Sequence, residues 1–241
     1  MYNTFIFQPL YNGLIYLFGL LPFADAGVVI VIFTIIIKLI LLPLSLKASK
    51  SQIEMKSIEG DLRKIKENYK DNKEEQTKKT VEYYKEKGIN PFAGIFVIIL
   101  QFPIIIGLYQ IFLKSGLPKI NTTLLYSFVS VPLSINMMFL NLVDVSQKSL
   151  VLALLAGITT FFQVWISARG NQPAKVSTGG MSSDIASAIS TQMKYVFPII
   201  VIFISYRISG ALALYWITNN LFAVGQEIYT KKKYHQTPIV V

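Results

Sequence analysis

A single lysine interrupts the apolar run FTIIIKLILLPL, residues 33–44. Placing Lys38 at the centre of a membrane costs about 2.5 to 3.5 kcal/mol on insertion scales. Lys38 lies 11 residues after Gly27 and seven before Ser45, so it is about 10 Å from the C-terminal end of the predicted span. Two interpretations remain open. Either the lysine head reaches the nearer headgroups, or it faces a hydrated cavity and meets anionic groups that pass through.

Polar side chains in the other apolar segments are candidates to line the same cavity. Thr34 lies one turn before Lys38 on the same helix face. Each of these side chains has the alternative role of a hydrogen bond between helices. Together with a cation that has no acidic residue near it in the spans, they predict a hydrophilic pocket. The candidate groove residues are Lys38, Thr34, Gln101, Gln163, Tyr215, Trp216 and Asn219.

The composition narrows the class of protein. Hydrophobic residues make up 53% of the 241 residues and charged residues 15%, which indicates a polytopic membrane protein. The chain has no cysteine and one histidine, so we expect no disulfide, no metal site and no cofactor. The predicted spans offer Ser and Thr without a histidine or a pair of acids beside them, so we expect no catalytic residues and no enzyme activity.

Five transmembrane helices are predicted from apolar runs measured against the roughly 20 residues that cross a bilayer. The fourth run has only 14 residues, which predicts a short helix in a locally thinned membrane or a tight helical hairpin through Ser209 and Gly210. The runs are residues 27–45, 91–113, 149–168, 195–208 and 211–230.

Basic residues orient these spans. With the N-terminus outside, residues 47–88, 169–194 and 231–233 place 18 Lys and Arg inside and leave four outside, as the positive-inside rule requires. A sixth span at residues 121–143 gives the poorer split of 14 and 8, so that segment is predicted to be external. Residues 5–21 carry no basic residue, and their polar residues favour an interfacial helix on the outer face over a span.

The strongly polar block at residues 46–88 predicts a cytoplasmic hairpin of two helices. Apolar residues recur there at helical spacing. A solvated charged loop is the alternative, and docking of ribosome, RNA or anionic lipid is the function that its basic residues favour. The predicted apolar seam consists of Met55, Ile58, Leu62, Ile65 and Tyr69 on one helix and Thr77, Val81 and Tyr84 on the other.

Several blocks of the chain resemble the YidC family of membrane protein insertases. They occur in family order and cover most of the sequence, and the second and last are the most specific. The blocks are GVVIVIFTIIIKLILLPLSLKASKSQIEM, YYKEKGINPFAGIFVIILQFPIIIGLYQIF, LALLAGITTFFQ and FPIIVIFISYRISGALALYWITNNLFAVGQEIY, preceded by FQPLYN.

The resemblance implies an all-α polytopic membrane protein with five spans around a hydrophilic groove and a cytoplasmic helical hairpin. It implies the short form of the family, without a large outer domain. In the family a positive residue, usually arginine, lies on the first span, and Lys38 takes that position here. Lysine keeps the point charge but lacks the planar fork of donors that binds a carboxylate in two places. The positions of Thr34, Gln101, Tyr215 and Trp216 match family residues that line the groove or contact substrate.

The implied activity is insertion of nascent membrane proteins into the bilayer without nucleotide hydrolysis, since no GxxxxGK[ST] loop is present. The expected partners are client proteins, the ribosome, the Sec translocon and membrane lipids, and not DNA. The expected location is the bacterial plasma membrane, with the C-terminus cytoplasmic. A small-solute transporter or channel is the alternative, although the internal repeats and broken spans common in transporters are not found.

The resulting domain plan divides the chain into nine consecutive segments. The plan is 1–26 interfacial helix and lead-in, 27–45 first span, 46–88 hairpin, 89–113 second span, 114–148 outer loop, 149–168 third span, 169–194 cytoplasmic loop, 195–230 fourth and fifth spans, and 231–241 cytoplasmic tail.

Overall fold

A computed structural model describes residues 2–90, 93–113, 117, 119–170 and 183–235. The described chain is helical except for the loops and one two-stranded antiparallel hairpin. This confirms the predicted all-α class. A π-helical turn at Asn3–Phe7 leads into the first helix, and a 3₁₀ turn lies at Thr122–Leu124. The helices are α1 Gln8–Leu20, α2 Ala26–Ser57, α3 Glu59–Asn68, α4 Lys73–Glu86, α5 Ala93–Leu113, α6 Leu150–Gly170, α7 Ser183–Ile208 and α8 Gly210–His235, and the strands are β1 Met138–Phe139 and β2 Val143–Asp144.

Two of the described helices are long and apolar enough to cross a membrane. They are the parts of α2 and α6 at Ala26–Met55 and Leu150–Ser167, and a shorter apolar helix covers Gln101–Phe112 of α5. The structure therefore agrees with a helical membrane protein. The number of five spans stays a prediction.

Two helices continue by 12 residues beyond the ranges predicted from hydropathy. Helix α2 extends through residues 46–57, which the sequence assigned to the hairpin, and α7 includes residues 183–194, which the sequence assigned to a loop. The prediction of a short fourth helix is therefore wrong, although the break at Ser209 is present. Hydropathy locates the apolar part of a helix, whereas backbone hydrogen bonding continues into polar sequence that contains no helix breaker.

Helix α1 packs into the main hydrophobic core and is tied to the loop that follows α5. Its Tyr11, Leu14 and Ile15 side chains are fully buried. Asn12 donates from Nδ2 to the Leu124 carbonyl (2.9 Å), and its Oδ1 accepts from the Tyr126 amide (2.7 Å). One buried amide thus satisfies backbone groups of a loop more than a hundred residues away, which fixes α1 against that loop.

Residues 136–147, here called the cap segment, contain the β-hairpin and join the N-terminal ends of two long helices. On one side, the Ala26 amide donates to the Asn136 carbonyl (2.7 Å). Asp25 caps α2 through the Val28 amide (2.9 Å), and its other oxygen accepts from the Leu140 amide (3.0 Å) in the hairpin turn. Since Asp25 serves both elements, the hairpin is fixed to the start of α2.

On the other side, the cap segment supplies acceptors to the start of α8. The Gly210 amide donates to the Gln147 carbonyl (2.8 Å), and the Ala211 amide donates to the Val145 carbonyl (2.8 Å). These bonds satisfy amides that a helix N-terminus leaves without partners. Helices α2 and α8 therefore begin at the same end of the protein and run in the same direction.

Helices α3 and α4 pack through a small separate core of Met55, Ile58, Leu62 and Ile89, with Ile65, Tyr83 and Tyr84 against it. The Tyr83 hydroxyl donates to Asp61 (2.9 Å), and Gln76 donates to the Lys66 carbonyl (2.8 Å). Hydrogen bonds from Lys64 and Tyr83 lower the pKa of Asp61. The predicted seam is wrong at Thr77 and Val81, which are both exposed, Val81 by 45%. Tyr83 takes the inward position because the α4 helix turns a different face to α3.

Because Leu62 is buried and Val81 is exposed, aspartate at these two positions should affect the stability of the α3–α4 pair very differently. Leu62 is 7% exposed, so Leu62→Asp should cost the pair at least the roughly 2 to 5 kcal/mol of a lost buried leucine. Val81→Asp should change little, because its charge remains in water. Limited proteolysis followed at residues 59–86 measures both, and equal protection of the two variants would contradict the packing described.

Candidate functional site

Lys38 lies on the flank of α2 between its buried and its exposed faces. Its side chain is partly exposed, whereas Leu39 and Ile40 beside it are exposed and Ile37 is buried. Among the described residues, no carboxylate lies within ion-pair distance of the Lys38 ammonium. The exposed face of α2 beside Lys38 is thus apolar. Lys38 lies at the border between this face and the face of α2 that packs against other helices.

Thr34 lies on the same side of α2 one turn earlier, but its hydroxyl serves its own helix. The side chain is 1% exposed, and Oγ1 donates to the Ile30 carbonyl (2.7 Å). A threonine bonded in this way presents its methyl group to neighbouring helices. Thr34 is therefore a packing residue beside Lys38 in this state of the protein.

Gln101 and Tyr215 form a polar contact between α5 and α8. The Gln101 Nε2 donates to the Tyr215 hydroxyl, and Tyr215 is 2% exposed. The contact satisfies one group from each helix inside an apolar environment, where an unpaired group is costly. The structure thus brings together two residues that the sequence proposed separately.

Trp216 and Asn219 lie on the same helix within the next turn. Trp216 is buried. Asn219 is partly exposed, yet its Oδ1 atom is buried and has no hydrogen-bond partner among the described residues. A buried carbonyl without a donor is unusual in a folded protein, and each instance calls for an explanation. Asn219 therefore has a free acceptor within the protein interior.

The level of Asn219 along α8 relative to Lys38 on α2 follows from a hydrogen bond between the two helices. Ser45 donates to Gln226 Oε1 (3.0 Å). Lys38 is seven residues before Ser45, and Asn219 is seven residues before Gln226. Seven residues are about two helical turns, or roughly 10 Å, and return to nearly the same face. Because α2 and α8 run in the same direction, Lys38 and Asn219 lie at the same level on facing sides.

Lys38, Gln101, Tyr215 and Asn219 are here called the polar layer. They come from α2, α5 and α8, three helices that pack against one another. Gln101 and Tyr215 satisfy each other, while the Lys38 ammonium and the Asn219 carbonyl have no described partner. The arrangement offers one cation and one acceptor to a polar ligand.

Gln163 is not joined to this layer by any described hydrogen bond. Its side chain donates to Ser167 on its own helix (3.4 Å). Within the apolar part of the helices, Asn220 instead joins α8 to α6, since its Nδ2 donates to Thr160 (2.8 Å) and Thr159 (3.3 Å). The sequence shows these residues as polar positions in spans, but it does not distinguish a bond between helices from a ligand contact.

An ion pair lies near the far end of α8. Glu227 lies 3.2 Å from Lys231, whose ammonium also donates to the Ile166 carbonyl of α6 (2.7 Å). No group of three His, Cys, Asp or Glu residues that would suit a metal ion occurs in the described ranges. Nothing in the polar layer therefore provides a metal site, and Lys38 is its one ionised group.

Known proteins are similar to this chain over most of its length. The family described as 60Kd inner membrane protein matches residues 19–237. The membrane protein insertase YidC of Fusobacterium nucleatum is 36% identical over 86% of this chain and 86% of its own length. That of Clostridium tetani is 34% identical over 88% of this chain and 84% of its own length.

A third relative of this chain is an insertase named MisCA instead of YidC. The membrane protein insertase MisCA of Bacillus subtilis is 28% identical over 85% of this chain and 70% of its own length. The match covers the helices that contribute every residue of the polar layer, and it confirms the resemblance seen in the sequence. The chain belongs to the 60Kd inner membrane protein family, the family of the YidC membrane protein insertases.

Proposed function

We propose that this chain inserts nascent membrane proteins into a bacterial plasma membrane through a hydrophilic groove that contains the polar layer. Lys38 is the observation that best supports a groove. It is a cation on an apolar helix, and no described carboxylate pairs with it. Leaving such a charge within a membrane costs about 2.5 to 3.5 kcal/mol. A role in contacting a passing acidic segment accounts for that cost.

The proposed mechanism shortens the path that a polar segment takes through hydrocarbon. An acidic tail of the client enters the groove and approaches Lys38 by electrostatic attraction, which is strong where water is scarce. The apolar part of the client moves along α6 and α8 into lipid. Leu154, Leu155, Ile158 and Leu221 expose apolar surface on these helices, which supports that route.

Client hydrophobicity and the membrane potential supply the driving force. A potential of 100 mV contributes about 2.3 kcal/mol for each charge that crosses the membrane. The proposed reaction uses no nucleotide, no cofactor and no covalent catalysis.

The proposed topology has five spans, contained in α2, α5, α6, α7 and α8. The N-terminus and the cap segment lie outside, and the α3–α4 pair and the C-terminus lie in the cytoplasm. The cap segment then closes the outer end, because it connects the starts of α2 and α8 through backbone hydrogen bonds. The cytoplasmic segment 46–88, which has 12 basic and 9 acidic residues, is available to ribosome or anionic lipid, and a Sec translocon is a further proposed partner.

Reconstitution into liposomes tests this function directly. Vesicles containing the protein should insert a ribosome-released single-span client and should remain tight to small solutes. Empty vesicles provide the control. Solute flux without client insertion would instead support the alternative of a small-solute transporter or channel.

A further inference from the structure

Two groups of the polar layer have no described hydrogen-bond partner. One is a donor and the other an acceptor, so each is a suitable partner for the other. The Lys38 ammonium carries three donors, and Asn219 Oδ1 is a buried acceptor with no donor among the described residues. They lie at the same level on helices that face each other and run in the same direction, as the Ser45–Gln226 contact indicates. Lysine has a flexible four-carbon stem, so a change of rotamer moves its ammonium toward the neighbouring helix.

We infer that Asn219 positions the Lys38 ammonium. In one rotamer of Lys38, different from the one in the structure, the Asn219 carbonyl accepts a hydrogen bond from the ammonium and keeps it between α2 and α8, away from the headgroups. A client carboxylate then replaces the Asn219 carbonyl as the acceptor. This inference rests on the proposed function for the identity of the incoming ligand, which is a carboxylate of an acidic membrane-protein segment.

The exchange has a physical basis. An ionised acceptor makes a hydrogen bond to an ammonium that is about twice as strong as one made by a neutral carbonyl. A neutral acceptor therefore holds the cation without competing strongly against the client. An aspartate at the same position would form an ion pair inside the groove and would compete directly.

The position of Asn219 is tested first by cross-linking, which requires no insertion activity. The chain contains no cysteine, so Lys38→Cys with Asn219→Cys gives two unique thiols for a short thiol-specific cross-linker in membranes. This pair should link, as should the reference pair Ser45→Cys with Gln226→Cys. Lys38→Cys with Gln226→Cys should not link, because the two positions are about 10 Å apart along the helices. Linking of the reference pair alone would overturn the inference.

The positioning role is tested by the preference for an acidic over a neutral client tail. Asn219→Asp should lower that preference, measured as the ratio of acidic-client to neutral-client insertion, about tenfold, which corresponds to about 1.4 kcal/mol. Gln226→Glu adds the same charge two turns away and should keep the preference. Asn219→Gln retains the carbonyl and should keep most of it. An unchanged preference in Asn219→Asp, or equal losses in Asn219→Asp and Gln226→Glu, would overturn the inference.

The cross-linking and insertion experiments distinguish failure of the Asn219 positioning role from failure of the proposed function. If wild-type vesicles insert no client, the proposed function fails, while the cross-linking result still reports whether Asn219 faces Lys38. If insertion is normal and Lys38→Cys does not link to Asn219→Cys, the positioning role alone fails.

Discussion

Lys38→Leu should abolish most insertion of a client whose N-terminal tail is acidic. A hydrogen bond to a charged group in a protein contributes about 1.5 to 3 kcal/mol, so the expected loss is roughly tenfold to a hundredfold. Lys38→Arg should retain or increase insertion, because arginine keeps the cation and adds donors. The measurement is insertion of matched clients with acidic and neutral tails into vesicles that contain each variant.

The pattern across both clients distinguishes the roles of the lysine. Selective loss with the acidic client indicates direct attraction, and equal loss with both indicates that Lys38 mainly hydrates the groove. Lys38→Glu should repel the acidic tail. Lys47→Leu removes an exposed lysine from the same helix and serves as the matched control. Wild-type activity of Lys38→Leu with both clients would mean that Lys38 only reaches for headgroups, and the groove hypothesis would fail.

Gly27→Leu should destabilise the end of the protein at which α2 and α8 begin. A Cβ at Gly27 would overlap the Phe139 ring of the cap segment, and added atoms in a packed core typically cost about 1 to 3 kcal/mol. The effect should appear as a lower midpoint of thermal unfolding in detergent. Gly225→Leu is the matched control, since its Cβ would meet no atom within 4 Å.

A second variant shows whether the contact with Phe139 is the cause. Adding Phe139→Ala to Gly27→Leu vacates the overlapping volume and should recover part of the lost stability. The recovery is measured against Phe139→Ala alone, as in a double-mutant cycle. Additive losses would show that the two positions do not interact, contrary to the packing of the cap segment against α2.

Much of the function was already contained in the sequence. A charge within an apolar run is rare because it is costly in a membrane, so the sequence alone marks Lys38 as unusual. Long apolar segments without cysteine restricted the class of protein, and the ordered blocks identified the family. Gln101 and Tyr215 were also found in this way, because polar residues in apolar segments are few.

The tertiary structure decided which polar residues meet. Asn220 bonds to Thr160, whereas its neighbour Asn219 keeps a free carbonyl, and both are asparagines in one short motif. The 100° rotation between successive helical residues directs them to different neighbours. That outcome depends on how α8 is rotated against α2 and α6, which the local sequence does not specify.

The contacts of the cap segment also required the folded chain. Val145 and Gln147 offer backbone carbonyls to α8, and every residue except proline carries the same backbone groups. No residue type therefore marks such a contact in advance. Sequence by itself determined the membrane character, the family and the unusual cation, because these depend on residue chemistry. Which groups surround Lys38, Asn12 and Asn219 depends on helix rotation and depth, which only packing over long sequence separations fixes.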